Sequence, residues 1–270
     1  MKMFGILPHK RLIFLLKMNS ISVVIITLNE ELTIARCIKS VIPVADEIIV
    51  VDSHSRDRTK EICRNLGVQF YEHPFEGYIQ QQAYATSLAN FEYIFTIDAD
   101  EALDKTLCNS ILEAKKKLDC DAYSMNRMNN YCGKWIRHGS WYPDRKIRLW
   151  NRNKGRWGGR NPHNTVKMDH DSKIGYLNGE LLHYCYDSVE AHINQFNQFT
   201  SISARELFLE KRKVGIFGIF VKSMANFVQG FFFKLGFLDG YYGITICFIN
   251  SFATFMKYVK LRELNKNGSV

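Results

Sequence analysis

Three short apolar runs, each breaking off at polar or acidic residues, constrain the fold of this 270-residue chain more than any other feature. The first, Ile-Ser-Val-Val-Ile-Ile-Thr-Leu from Ile21 to Leu28, is continuous and β-branched, as strands are in a parallel sheet covered on both faces. The second, Glu47 to Val51, opens into the polar loop Asp52-Ser53-His54-Ser55-Arg56-Asp57-Arg58-Thr59. The third, Tyr93 to Ile97, stops at Asp98-Ala99-Asp100-Glu101. Helical patterns separate them. Asn29 reads as the cap of a helix carrying Leu32, Ile34, Ala35, Ile38 and Val41 and ended by Pro43. Further helices are expected from about Thr59 to Leu66, halted by Gly67, and from Ile79 to Leu88, with a short strand at Val68 to Tyr71. Such alternation predicts an α/β fold. Its β-α-β crossovers are right-handed, its sheet is mostly parallel, and ligands bind at the carboxyl ends of the strands. Asp52 and the cluster Asp98 to Glu101 fall at those ends.

Hydrophobic residues make up 46% of the chain and charged residues 23%, which fits a folded protein with room for one substantial domain and an appendage. Lys and Arg outnumber Asp and Glu by 36 to 27, a net +9, so anionic partners such as nucleotide diphosphates, nucleic acid or acidic lipid are favoured, and the sign alone does not choose among them. The seven cysteines are odd in number and include no Cys-x-x-Cys pair, and they read as reduced, mostly buried thiols. Lys10, Arg11 and the run Leu12 to Leu16 are too brief for a membrane span and lack a small-residue cleavage site, so residues 1–20 read as an extension without a secretory signal.

From Arg127 to Arg160 ten Lys or Arg face a single acid, Asp144, with Trp135, Trp141, Trp150 and Trp157 interspersed. The stretch reads as a site-building insertion, its tryptophans placed either to stack on sugar rings or to pack the core. Two long apolar stretches, Val214 to Phe237 and Tyr241 to Val259, flank Leu238-Asp239-Gly240. With Lys222, Lys234, Lys257, Lys260 and Arg262 they predict two amphipathic helices lying on an anionic membrane surface. The alternatives are a helical hairpin folded on the rest of the chain, or a re-entrant or spanning segment.

The pair Asp98 and Asp100, one residue apart at the end of a buried strand, offers oxygen ligands to a hard divalent cation, Mg²⁺ or Mn²⁺. The same carboxylates would equally serve to cap a following helix.

Three ordered motifs, Val-Val-Ile-Ile-Thr-Leu-Asn-Glu (23–30), Val-Val-Asp-Ser-His-Ser-Arg-Asp-Arg-Thr (50–59) and Thr-Ile-Asp-Ala-Asp-Glu (96–101), resemble the GT-A fold of glycosyltransferase family 2. The run from Tyr131 to Arg145, and Arg148-Leu-Trp after it, resemble the branch of lipopolysaccharide inner-core β-1,4-glucosyltransferases. The resemblance implies a catalytic domain over 21–204, with a donor-binding half at 21–126 and an acceptor half at 127–204, followed by a helical, membrane-associating region at 205–270.

It also assigns roles. Thr27, Glu30 and Ser53 would border the nucleotide sugar, and Asp52 would accept a hydrogen bond from the uracil ring. Asp100 would be the principal metal ligand, with Asp98 on the ribose or a metal-bound water. The family's Gly-Tyr-Gly-Lys-Gln-x-Asn appears as Gly77 to Ala83, keeping Gln81 as a donor contact and losing the basic residue. His163 and His183 are candidates to complete the metal sphere. The family's His-Glu is His163-Asn164 here, which removes one carboxylate. Asp144, kept ionised by neighbouring cations, is then the expected base of an inverting transfer, or else an ion-pair partner of Arg145 or Arg148 that holds the loop. Arg145 and Arg148 are expected to clamp a diphosphate or an anionic acceptor.

The expected donor is UDP-glucose and the expected acceptor a lipopolysaccharide inner-core heptose, with the protein peripheral on the cytoplasmic face of the inner membrane and no nucleic-acid partner. A sugar nucleotidyltransferase would need a glycine-rich, basic loop after the first strand, where this chain has Thr27-Leu28-Asn29-Glu30-Glu31. A basic adaptor would leave the ordered acidic motifs unexplained.

Overall fold

A strand buried on both faces, β1 (Ile21–Thr27), sits inside a parallel array with β2 (Glu47–Asp52), β3 (Gln69–Glu72) and β4 (Tyr93–Asp98), in the order β3-β2-β1-β4. The computed structural model describes residues 19–161 and 163–268, apart from the His163 side chain, so the expected extension lies almost wholly outside the described residues. Helices α1 (Ile34–Val41), α2 (Thr59–Asn65) and α3 (Tyr78–Ser87) make the crossovers. Ile21, Val23 and Ile25 are fully buried with Ile34 and Ile38 of α1 and with Leu107 and Ile111 of α4 (Lys105–Lys115). Val24 points the other way, into a second core with Val51, Ile94, Trp150 and Ala85 of α3. Period-two alternation along one strand thus feeds two cores, which is why β1 reads as continuously apolar.

Asn29 does not cap α1. Its φ of 55° turns the chain sharply, and its Oδ1 accepts from the Arg56 backbone N–H at 2.8 Å, so it ties the loop after β1 to the loop after β2. The helix begins only at Ile34.

The basic, tryptophan-rich stretch is no insertion. β5 (Glu101–Leu103), β6 (Ala122–Tyr131), β7 (Lys134–Trp135), β8 (Asp144–Asn151) and β11 (Ile174–Tyr186) extend the same sheet in the order β4-β8-β6-β11-β5, while β9 (Gly155–Arg160) and β10 (His163–Met168) pair separately. Antiparallel register sets Asp144 of β8 opposite Arg127 of β6. β11 runs parallel to β6 with a bulge between Tyr176 and Glu180. Gly179 sits in that bulge at φ +103°, where a Cβ would lie 2.2 Å from the Leu107 backbone nitrogen.

After the sheet come α5 (Val189–Leu209), α6 (Ile216–Val228) and α7 (Gly240–Asn267). α6 and α7 fold back as a hairpin onto the sheet and α5. Asp239 at the hairpin turn accepts backbone N–H bonds from Arg137 at 3.1 Å and His138 at 2.8 Å, and its carbonyl accepts from Lys134 Nζ at 2.7 Å. Two lysines expected at a membrane surface face the protein instead. Lys260 donates to Asn197, Thr200 and Ser201 of α5, and Lys257 lines an internal cavity. The outer faces remain apolar, with Phe217, Phe220, Met224, Phe233, Tyr241 and Phe248 exposed. By length and composition alone, Ile216–Phe233 is the one described segment apolar enough to cross a membrane.

Candidate active site

Asp98 ends β4, Asp100 occupies the turn and Glu101 begins β5, so three acidic side chains leave a tight bend in different directions. None caps α4. That role belongs to Asp104, whose Oδ1 accepts from the Leu107 N–H at 2.6 Å. Asp98 Oδ2 accepts from Arg148 at 2.9 Å and Oδ1 from Gln82 Nε2 at 3.2 Å. Glu101, fully buried, accepts from Arg148 at 2.7 Å and Arg127 at 3.4 Å, and its other oxygen takes the Asp98 backbone N–H at 3.0 Å. Burial opposes ionisation of Asp98, but the Arg148 guanidinium outweighs it and holds the carboxyl below its ordinary value. Glu101 is pushed up, by burial first and by the neighbouring Asp98 charge, against the pull of Arg148. The expectation that Arg148 clamps a diphosphate is corrected accordingly. Its guanidinium is buried and committed to two carboxylates of the same bend.

Asp100 is differently placed. Its Oδ2 lies 3.0 Å from His183 Nε2, on β11. The other ring nitrogen, Nδ1, lies 2.5 Å from Asn129 Oδ1, and the Asn129 amide is oriented by donating from Nδ2 to the Trp141 carbonyl at 3.0 Å. Nδ1 therefore donates, and in the neutral ring the Nε2 lone pair points at Asp100. That contact turns favourable when a proton on Nε2 pairs the ring with Asp100 as an imidazolium, or when a metal cation stands between the two. The spacing of 3.0 Å also matches two adjacent ligands of an octahedral ion with bonds of about 2.1 Å. These two donors fit a divalent cation. Among the described residues no group of three or more His, Cys, Asp or Glu converges on one point.

Asp144 pairs with Arg127 at 2.8 Å and with Lys146 at 3.0 Å, and with neither Arg145 nor Arg148. Burial works against its charge, but Arg127 and then Lys146 override it and lower its pKa. The Arg145 guanidinium instead lies 5.0 Å over the Tyr176 ring.

These groups border one cavity of about 1250 Å³. Thr27, Glu30, Ser53 and Gln81 line one end, Asp98, Asp100 and His183 follow, and Arg127, Trp141, Asp144, Arg145 and Asn164 line the side beyond. Thr27 Oγ1 is buried there without a hydrogen-bond partner among the described residues. Burial raises Glu30 to about 7, against the Thr33 hydroxyl bonded to it at 2.5 Å. Gln81 is braced by Ser53 Oγ at 3.0 Å and His73 Nδ1 at 2.9 Å. Asp52 is not brought to the wall. It is 1% exposed and takes the Ser55 N–H at 2.7 Å, so it shapes the loop that presents Ser53.

Residues 22–174, more than half the chain, match the model of glycosyl transferase family 2. The chain belongs to glycosyltransferase family 2. An uncharacterized glycosyltransferase of Rickettsia typhi is 33% identical over 258 residues, 92% of this chain and 88% of its own. The lipopolysaccharide core biosynthesis glycosyltransferase LpsC of Rhizobium meliloti is 29% identical over 192 residues, 68% of this chain and 70% of its own. Among solved structures, S. aureus TarS in complex with UDP-GlcNAc aligns over 93% of this chain and 92% of its own at 13% identity, with a TM-score of 0.46.

The protein is thus a glycosyltransferase, and its fold is the GT-A fold. Membership removes the nucleotidyltransferase and adaptor alternatives. In this transferase the tryptophans divide: Trp150 is core, Trp135 packs edge-on against Tyr184, and Trp141 and Trp157 reach the cavity wall. The structure adds residues that the sequence did not single out. Arg127 bridges Glu101 and Asp144, Asn129 fixes the His183 ring, and Gln82 holds Asp98. Arg127 had a signal, at the head of the basic stretch, but its partner follows only from the β6–β8 register. For Asn129 the sequence carried none.

Proposed function

We propose that this family 2 glycosyltransferase moves glucose from UDP-glucose to a heptose of the lipopolysaccharide inner core, inverting the anomeric carbon. The observation that carries the reading is one cavity lined by the Asp100–His183 pair and by the ionised Asp144 of the same sheet. Thr27, Glu30, Ser53 and Gln81 border the donor in this reading. Asp100 and His183 would hold Mg²⁺ or Mn²⁺, with Asp98 turned to the ribose. When bound, the cation supplies positive charge against the departing diphosphate. The acceptor hydroxyl oxygen attacks the anomeric carbon, the bond from that carbon to the phosphate oxygen breaks, and Asp144 takes the hydroxyl proton. Arg127 and Lys146 keep Asp144 charged until that moment.

The sugar and acceptor rest on the resemblance of residues 131–150 to inner-core glucosyltransferases, and LpsC, whose name assigns it to core biosynthesis, is a relative that supports them. The apolar outer face of α6 and α7 supports a peripheral seat on the cytoplasmic membrane surface, where a glycolipid acceptor is presented. The test is a panel of nucleotide sugars incubated with truncated core acceptor and Mn²⁺ or Mg²⁺. Expected are release of UDP and glucose transfer that stops on chelation and in Asp100→Ala. Full activity under either condition would remove the metal from the scheme, and preference for another sugar or a different lipid-linked acceptor would replace the substrates.

A further inference from the structure

The far wall of the cavity is built by the helices. On α7, Asn250, Ala253, Thr254 and Lys257 recur at helical spacing, form one stripe and all line the cavity, joined by Asn226 of α6. The other cations that meet this cavity from β6 and β8 are mostly spoken for: Arg127, Lys146 and Arg148 each hold a carboxylate. Lys257 is not. Among the described residues its ammonium has no carboxylate partner. It lies 4.9 Å from the centre of the Tyr258 ring, and the Lys222 ammonium approaches the same ring at 5.6 Å. Burial, reinforced by the like charge of Lys222, lowers the pKa of Lys257. Lys260, three residues on, is by contrast saturated by α5 hydroxyls and the Asn197 side chain. Asn226 Oδ1 is buried without a hydrogen bond, while the Thr254 hydroxyl is spent on the Asn250 carbonyl at 3.0 Å.

A half-buried ammonium on the cavity wall, with no carboxylate partner among the described residues, lacks an anion. We propose that Lys257, with Asn250 alongside, forms an anion subsite that holds a phosphate group carried by the acceptor. The Lys257 ammonium takes the phosphate oxygens, so the acceptor lies between this wall and Asp144. The proposal rests on reading the cavity as the transfer site.

The test titrates the full chain by calorimetry with octyl phosphate, inorganic phosphate and octyl glucoside, and separately with UDP and Mn²⁺. Octyl phosphate is expected to bind the parent protein, to weaken about tenfold or more in Lys257→Gln, and to recover in Lys257→Arg, with UDP affinity unchanged. Tighter binding of octyl phosphate than of inorganic phosphate assigns the group to a lipid, and equal binding assigns it to a soluble phosphate ester. Either supports the subsite. Octyl phosphate affinity that ignores Lys257→Gln, or that octyl glucoside matches, overturns it. So does a loss of UDP affinity in that variant, which would give Lys257 to the donor. A parent protein that binds octyl phosphate through Lys257 but never UDP would sink the transferase substrates while sustaining the anion subsite.

Discussion

The Arg148 guanidinium lies 2.7 Å from Glu101 and 2.9 Å from Asp98, with Glu101 wholly buried. One cation therefore neutralises both flanks of the bend that presents Asp100. Removing it leaves the buried Glu101 carboxylate only the longer 3.4 Å contact to Arg127 as a charged partner, so Arg148→Met is expected to cost about 3–5 kcal/mol in urea unfolding. Arg148→Met combined with Glu101→Leu is expected to regain much of that loss, because the unpaired charge goes as well. A double variant no more stable than the single one would refute this account.

Asn129 orients the His183 ring toward Asp100, so it would act on a cation held by that pair through a neighbour. Calorimetric titration of Mn²⁺ in the presence of UDP is expected to show affinity lowered about 10- to 100-fold by Asn129→Ala, and at least as much by His183→Ala. Equal affinity in all three proteins would disconnect this pair from metal binding.

How far the sequence revealed this architecture depends on how local the cause of each element is. β1, β2 and β4 announced themselves because a strand buried on both faces has to be apolar throughout, and their ends located Asp98 and Asp100. β11 did not, since its bulge and its alternation of Gly, Asn, Glu and His with apolar residues make sense only against β6 and the start of α4. For the same reason the expected partners of Asp144 were sequence neighbours, Arg145 and Arg148, whereas the actual ones are Arg127 across the ladder and Lys146. Ion pairing across strands is a property of register, which sequence proximity does not encode.

For Asp144 the informative variant is Asp144→Asn. Sugar transfer is expected to fall about 10²–10⁴-fold while UDP affinity and unfolding midpoint stay near those of the parent. If UDP affinity or stability collapses with it, the residue serves to hold Arg127 and the base lies elsewhere.

His192 of α5 stacks on Tyr186 at 4.5 Å, lies 3.2 Å from the Tyr131 hydroxyl, and is buried enough that its pKa falls to about 4. The unfolded imidazole takes its proton near 6.5, so the neutral folded form is favoured fully above that pH, and the advantage drains as pH falls toward 4. The stake is on the order of 3 kcal/mol. His192→Phe is expected to flatten the stability profile between pH 6.5 and 4. An unchanged slope would mean that another group drives the acid transition.

Thr27 and Lys257 border the same chamber although almost the whole chain separates them. The donor end can take shape from early strands, but the opposite wall is supplied by the final helix, clipped to β7 and the loop after it through Asp239. The lining thus comes from opposite ends of the chain, and it is complete only once the last helix has docked on α5, on β7 and on the loop after it. Unfolding of the last helix alone would leave the strand-built end at Thr27 in place and remove the wall that carries Lys257.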